Sequence, residues 1–455
     1  MSRAYIQALD SVLIQTIILH VTTYWDGSFP KKYLSQLRLV SWQFRDAVDP
    51  FLFSGLKFDF KKRPLELVVQ QLNDMARKQS EVFHYVKQLT IETTETQIST
   101  LINKATYVGL LSLALRSLLE LRSVHWTISR LDEFNIIVDA ITNLPYLEDL
   151  YLDFSGLPVH LQTTNMITLH RFTQLRSFGF RAQYPSDPLA TSIIQQLRMN
   201  STKESLTSLS IDFTGHTKNK EIFHEIVNDI PAWKSLQLKQ LQAHGWKLVL
   251  HPNTIPHLRS LTSLDISRMD MESHSKIWSG LMAAGIQLQK LAGPLSMSLV
   301  MYLRSYAGLE HLTVYASSRV DGKKMFSDLS QSLTFHKKTL KFFDGASEHC
   351  SLNDMVAIRE CEKLHYLAVH LRGGPSNDDF AKTVAIVLEI PNLEILKIDS
   401  SRAYAFTRGS SGQREHFDHT ILDILQRFGQ SLGSTPIIIF ANRTYTAKGV
   451  VEDIE

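Results

Sequence analysis

The chain has 455 residues, of which 44% are apolar, 9% aromatic and 20% charged, a composition that builds a buried core and excludes a disordered polyelectrolyte. Lys plus Arg number 48 against 45 Asp plus Glu, a formal charge of +3. Over this length that is too small to make a phosphate-seeking field, so nucleic acid is not an expected partner. Two cysteines, Cys350 and Cys361, exclude a disulfide framework and suit the reducing cytosol or nucleus.

Taken in chain order, the first apolar run is Val12 to Val21, broken by Gln15, Thr16 and His20. It is about half the ~20 residues that a bilayer span needs, and it reads as a core helix. Met1 to Asp10 lacks the charged start and small-residue cleavage site of a secretory leader. No membrane partner is expected. Residues 9 to 53 carry two or three short amphipathic helices, Leu9 to Val21, about Lys31 to Val40 and about Trp42 to Val48, with Asp10 capping the first and Ser41 the third. Thr22 to Pro30 makes the turn between the first two, Pro50 is expected to halt the third, and Phe53-Leu56-Phe58 reads as a degenerate strand phrase.

From about residue 86 onward one phrase keeps returning: apolar, two variable residues, apolar, variable, apolar. Its period of two at the end means strand. Clear copies are Leu147-Leu150-Leu152, Leu206-Leu209-Ile211, Leu261-Leu264-Ile266, Leu309-Leu312-Val314, Leu364-Leu367-Val369 and Leu393-Leu396-Ile398. Weaker ones are Val86-Leu89-Ile91, Leu121-Val124-Trp126, Leu175-Phe178-Phe180, Trp233-Leu236-Leu238, Leu288-Leu291-Gly293 and Leu340-Phe343-Gly345. Leu238-Leu241-Ala243 also fits, and Trp233 is preferred because it evens the spacing. The mean step is about 28 residues, within the leucine-rich-repeat range. Cys361 falls three residues before a phrase, where Leu144 and Ile390 stand in other copies, and so reads as a core residue.

Helical stripes precede several phrases: Phe134, Ile137, Val138 and Ile141; Phe223, Ile226 and Val227; Phe380, Val384, Val387 and Leu388. Helix then strand, repeated, predicts an α/β fold: a right-handed leucine-rich-repeat solenoid, or horseshoe, behind a small N-terminal three-helix module. One unit buries too little apolar surface to offset the entropy of ordering it, so each needs neighbours and the ends need caps. The expected divisions are residues 1–55 for the module, 56–433 for the irregular repeats and 434–455 for a C-terminal cap strand and tail. The stripe Ile421 to Phe428 and the run Ile437-Ile438-Ile439-Phe440 would supply that cap, and Thr407 to Arg414 reads as a loop.

Residues 34 to 53, L-S-Q-L-R-L-V-S-W-Q-F-R-D-A-V-D-P-F-L-F, resemble the second half of an F-box, especially the fungal type that precedes leucine-rich repeats. The first half keeps the apolar spacing at Leu13, Ile17 and Ile18; where the family opens Leu-Pro-x-Glu, this chain has Asp10 after Leu9, and Val12 in place of the Glu. The resemblance implies docking on a Skp-family adaptor, and through it a cullin ubiquitin ligase, with the repeats holding a protein substrate. By matching positions it implies adaptor-facing roles for Leu9, Leu13, Ile14, Ile17, Leu37, Val40 and Phe44.

On the concave face the residues between the buried strand positions form rows, since strands lie ~4.8 Å apart. The phrases starting at 309, 340 and 364 place His311, Tyr315, Phe342, Tyr366 and His370 there, an aromatic concentration suited to a binding hot spot. Tyr151, Arg181, Lys239 and Lys397 are isolated candidates on the same face.

Catalytic signatures are not found. His349, Cys350, Cys361 and His365 have zinc-type donors without C-x-x-C spacing, and His224-Glu225 has no second histidine four residues after the first. Gly322-Lys323 lacks a phosphate loop, and no G-x-S-x-G elbow occurs. The expectation is a non-enzymatic, cofactor-free binding protein of the cytoplasm or nucleus: a substrate-recognition subunit of a Skp-cullin-F-box ubiquitin ligase, or alternatively an interaction scaffold without that role.

Overall fold

A computed structural model describes residues 13–14, 16–18, 31–59, 65–77, 81–92, 104–128, 134–156, 169–172, 174–183, 187–199, 205–214, 221–267, 271–315, 322–371, 378–399, 419, 421–426, 436–440, 443–446 and 449–451. Leu9, Asp10, Val12, the Thr22 to Pro30 turn and the Thr407 to Arg414 loop lie outside them. The chain divides near residue 207 into two compact units.

The first unit opens with the helical module. Residues 13–14 and 16–18 are helical, followed by α1 (Lys31–Arg38) and α2 (Trp42–Leu52). Ile14, Ile18, Leu34, Ala47 and Val48 form its core, with Leu37, Phe44, Phe51 and Leu52 packed around them. Ser41 caps α2 as expected, its hydroxyl accepting the Phe44 N–H at 3.3 Å. Pro50 does not halt the helix; it sits in the last turn, and α2 continues to Leu52. Pro50 removes one donor, but the Phe53 N–H still reaches the Asp49 carbonyl at 3.0 Å, and the burial of Val48 and Asp49 holds the turn in place. Arg38 ties α1 to α2 through Asp49 at 2.6 Å and lies 5.4 Å above the Phe53 ring.

Strands β1 (Gly55–Asp59), β2 (Gln88–Glu92), β3 (Ser123–Thr127), β4 (Asp149–Asp153) and β5 (Ser177–Gln183) follow, hydrogen-bonded in chain order and all parallel. The alternating apolar positions are in register: Leu56, Leu89, Val124, Leu150 and Phe178 face one another across the strands. Between strands the chain crosses over through helices such as α3 (Leu65–Ala76), α4 (Lys104–Ser117) and α5 (Phe134–Thr142), each packed on the next. α6 (Asp187–Met199) closes this unit, burying Leu189, Ile193 and Leu197. A parallel strand cannot follow its neighbour by a tight turn, and so the apolar stripes that precede several phrases become crossover helices.

The second unit repeats the plan. Its strands are β6 (Ser208–Thr214), β7 (Gln240–His244), β8 (Ser263–Asp265), β9 (Lys290–Pro294), β10 (His311–Tyr315), β11 (Phe342–Cys350), β12 (Tyr366–Leu371), β13 (Ile395–Asp399) and β14 (Ile437–Phe440), parallel and in chain order. Its helices are α7 (Ile222–Val227), α8 (Met271–Ala283), α9 (Met297–Arg304), α10 (Gly322–Leu333), α11 (Leu352–Arg359) and α12 (Asp378–Leu388). After β14 the direction reverses: β15 (Arg443–Thr446) and β16 (Gly449–Val451) add antiparallel. The Ile437 run therefore extends the parallel array, and the hairpin after it, with residues 421–426 helical, makes the end. The fold is an α/β leucine-rich-repeat solenoid preceded by a helical module.

One register differs from expectation. β7 uses Leu238-Leu241-Ala243, all buried, with Leu241 opposite Leu209 and Leu264. Trp233, preferred for even spacing, is 84% exposed in a short 3-10 turn. The repeat tolerates uneven spacing better than an empty core position. The two phrases that end in glycine have a packing cause. At Gly293 a Cβ would meet Ile266 and Trp278 at 3.3 Å, and at Gly345 it would meet Phe343 at 2.8 Å and Phe326 at 3.0 Å. Large rings from α8 and α10 fill the volume that a leucine occupies elsewhere. Cys361 is fully buried, as expected of that position, its thiol 3.9 Å from the Leu333 carbonyl and pushed up to about 12 by burial. Among the described residues no helix is long and apolar enough to cross a membrane.

Candidate functional site

The strand face away from the helices carries the residues between the buried ones. At the first outward position, the register runs from Lys290 on β9 to His311 on β10, Phe342 on β11, Tyr366 on β12, Ile395 on β13 and Ile437 on β14. Three of these are rings, and they stack. His311 and Phe342 have centroids 5.7 Å apart with planes at 25°, and Phe342 and Tyr366 are 4.3 Å apart at 5°. All three are half-buried.

Hydrogen bonds inside the repeats fix where these strands begin. The buried His336 accepts the Leu309 N–H through Nδ1 at 3.2 Å and donates from Nε2 to the Leu303 carbonyl at 3.0 Å. Burial lowers its pKa to about 4, so it stays neutral and keeps both roles. Thr339 donates to the Leu309 carbonyl at 2.8 Å, joining the turn before β11 to the start of β10. Below β9, Tyr302 donates to the Ile286 carbonyl at 2.8 Å and accepts the Leu288 N–H at 3.2 Å, while its ring stacks on Trp278 at 5.5 Å.

Of the five aromatic and imidazole residues expected on this face, the stack unites His311, Phe342 and Tyr366. Tyr315 and His370 stand at the fifth strand position, Tyr315 across from Pro294 and 41% exposed, and His370 across from His349 and Asp399. Burial depresses the His311 pKa, and the nearby Lys290 and Lys341 cations depress it further against the pull of Glu310. Burial, then Asp344, raises that of Tyr366. Lys341 is bonded to Glu310 at 2.9 Å.

The isolated candidates have individual settings. Tyr151 meets His125 with ring centroids 4.5 Å apart and planes tilted by 36°, and it lies over Gly179, where a Cβ would overlap its ring. Arg181 is across from Asp153, and Lys397 lies between Ala368 and Ile439. Lys239 is exposed just ahead of β7.

A second cluster on this face was not expected from the sequence. His244 is 5% exposed at the end of β7, with Nε2 2.9 Å from Asp265, Nδ1 3.6 Å from Asp212 and the Ser267 hydroxyl 3.0 Å from Nε2. Gln242 donates to Asp265 at 3.3 Å. Burial opposes the imidazolium, yet the two carboxylates outweigh it and raise the His244 pKa from 6.5 to about 9. Serine, histidine and aspartate suggest a nucleophile and its base, but a protonated imidazole has no lone pair to take the Ser267 proton. The arrangement is an ion cluster bridging β6, β7 and β8. Among the described residues no group of His, Cys, Asp and Glu is placed to hold a metal.

On the helical module the expected adaptor-facing residues separate. Leu13, Ile17 and Val40 are exposed at 48%, 47% and 44%, and Leu37 and Phe44 are partly buried against the core. Ile14 belongs to the core itself, at 1% exposure. Leu13 and Ile17, four residues apart, share an outward face, and Ile14 and Ile18, at the same spacing, share the buried one. Leu39, Trp42 and Tyr33, also exposed, enlarge the apolar surface.

No family model matches the sequence, and no curated protein matches it. Among solved structures, 85% of the chain aligns with 88% of a chain from the yeast Rad7 and Elc1 complex, at 14% identity and a TM-score of 0.45. A protein from Bacteroides fragilis aligns over 85% of this chain and 74% of its own, at 11% identity and a TM-score of 0.23.

Proposed function

We propose that the chain is a substrate receptor of a cullin ubiquitin ligase, its helical module docking a Skp-family adaptor and its strand face holding a protein target. The observation that carries this is the concentration of exposed Leu13, Ile17, Leu39, Val40 and Trp42 on a module of three short helices. Several large apolar side chains exposed on so small a helical unit mark a protein interface. The likeness of residues 34 to 53 to the second half of an F-box gives that interface its partner class. The aromatic row supports the other half of the reading, since rings bury large area with few rotors to immobilise. In this role the chain binds and does no chemistry, and two buried free thiols suit a reducing cytoplasm or nucleus.

The test is co-purification with a Skp-family adaptor. The Leu13→Asp, Ile17→Asp double variant changes exposed positions only. It is expected to lose the adaptor while its circular dichroism stays that of the parent. Retained binding, or no binding by the parent chain, would reject the assignment and leave an interaction scaffold.

A further inference from the structure

The ring stack on β10 to β12 also specifies the chemistry of its visitor, an inference that rests on the strand face being a protein-binding surface. Phe342 and Tyr366 are almost parallel at 4.3 Å, close to the ~4.8 Å between strands. Their stacking axis therefore runs from strand to strand, and the rings stand upright on the sheet. The faces between them are spent on each other. What they offer outward is ring edge, the hydrogen-bearing and positive rim of the quadrupole.

A cation needs a ring face and gains nothing from an edge. An edge instead takes the flat face of another aromatic ring, an aliphatic side chain or a carboxylate. The charges agree. Exposed Lys290 lies in register with His311, and Lys341 is the residue before Phe342. Both cations bear on His311. Glu310 bonds Lys341 and also feels Lys290, so two cations face one carboxylate at this end, and none of the described ion pairs includes Lys290. Beyond Tyr366 the row turns aliphatic through Ile395 and Ile437, the latter 39% exposed.

We propose that this row binds an extended protein segment laid across the strands, acidic at the β9 end and bearing aromatic or branched aliphatic side chains over β11 to β14. Five strand spacings give a row of about 24 Å, which an extended segment of about seven residues spans.

The test pans the full chain against a displayed library of random 12-residue peptides, with Phe342→Ser and Lys290→Glu in parallel. The parent is expected to enrich peptides with Asp or Glu a few residues from an aromatic or branched aliphatic residue. Phe342→Ser should lose that enrichment while keeping the parent's melting temperature to within a few degrees. Lys290→Glu alters an exposed side chain and keeps the test alive if Phe342→Ser fails to fold. It should weaken a synthetic peptide chosen by the parent about fivefold or more and remove the acidic preference. Enrichment that depends on Phe342 but favours basic or uncharged peptides overturns the proposed chemistry and leaves the face as a protein site. Enrichment indifferent to Phe342 overturns both.

Discussion

Raising the pH should unfasten β7 from its neighbours, and His244→Gln isolates the effect. His244 holds Asp212 and Asp265 on either side of it, with its side chain only 7% exposed. Its folded pKa of about 9 lies above the unfolded 6.5, so the stabilisation is fully present below about pH 6.5 and is lost as pH rises through about 9. The difference, at ~1.36 kcal/mol per pH unit, comes to about 3 kcal/mol. Urea unfolding of the parent and of His244→Gln at pH 6 and pH 10 gives the measurement, since lysines and tyrosines that also titrate do so in both proteins. The parent's advantage is expected to shrink by about 3 kcal/mol over that interval. A pH-independent difference, or an imidazole titrating near 6.5 by NMR, would sink the argument.

Two further perturbations test the packing beneath the site. Gly345→Ala places a methyl against Phe343 and Phe326 at distances of 2.8 and 3.0 Å. It should lower stability by about 1 to 3 kcal/mol, read as a drop in denaturation midpoint; an unchanged midpoint would mean that those rings have room to move. Tyr302→Phe leaves the buried Leu288 N–H without its acceptor at 3.2 Å and is expected to cost about 1 to 3 kcal/mol. Amide exchange at Leu288 should quicken, and parent-like protection there would refute the hydrogen bond's role.

The repeat was legible because burial imposes a period of two on the strand phrase, and the positions at Leu150, Leu209, Leu312 and Leu396 are filled as that period requires. The phrases ending in Gly293 and Gly345 were faint because the missing volume is supplied from outside the phrase, by Trp278 and Phe326 of the helix that precedes each strand. The preference for even spacing misplaced β7: the phrases at Trp233 and at Leu238 both fit the apolar pattern, and no local signal says that Trp233 points into solvent. The same slip hid the ion cluster. With a phrase beginning at Trp233, His244 falls in a connecting loop, whereas with one beginning at Leu238 it stands on the strand face between Asp212 and Asp265. The aromatic row was visible as composition, but which rings meet depends on register across strands, which set His311, Phe342 and Tyr366 together and left Tyr315 and His370 at the fifth position. On the module, the helical period separated exposed Leu13 and Ile17 from buried Ile14 and Ile18.

The aromatic row has no counterpart in any one stretch of the chain: each member is contributed by a different repeat, and they are neighbours only because the repeats are stacked in a given order. Recognition written this way is a matter of sequence order among modules. Excising the repeat that carries β10 would bring Lys290 directly beside Phe342 and shorten the inscription by one letter. On the proposed reading of the row, gain or loss of a whole repeat rewrites the target in a single step, without a point substitution at any residue of the row.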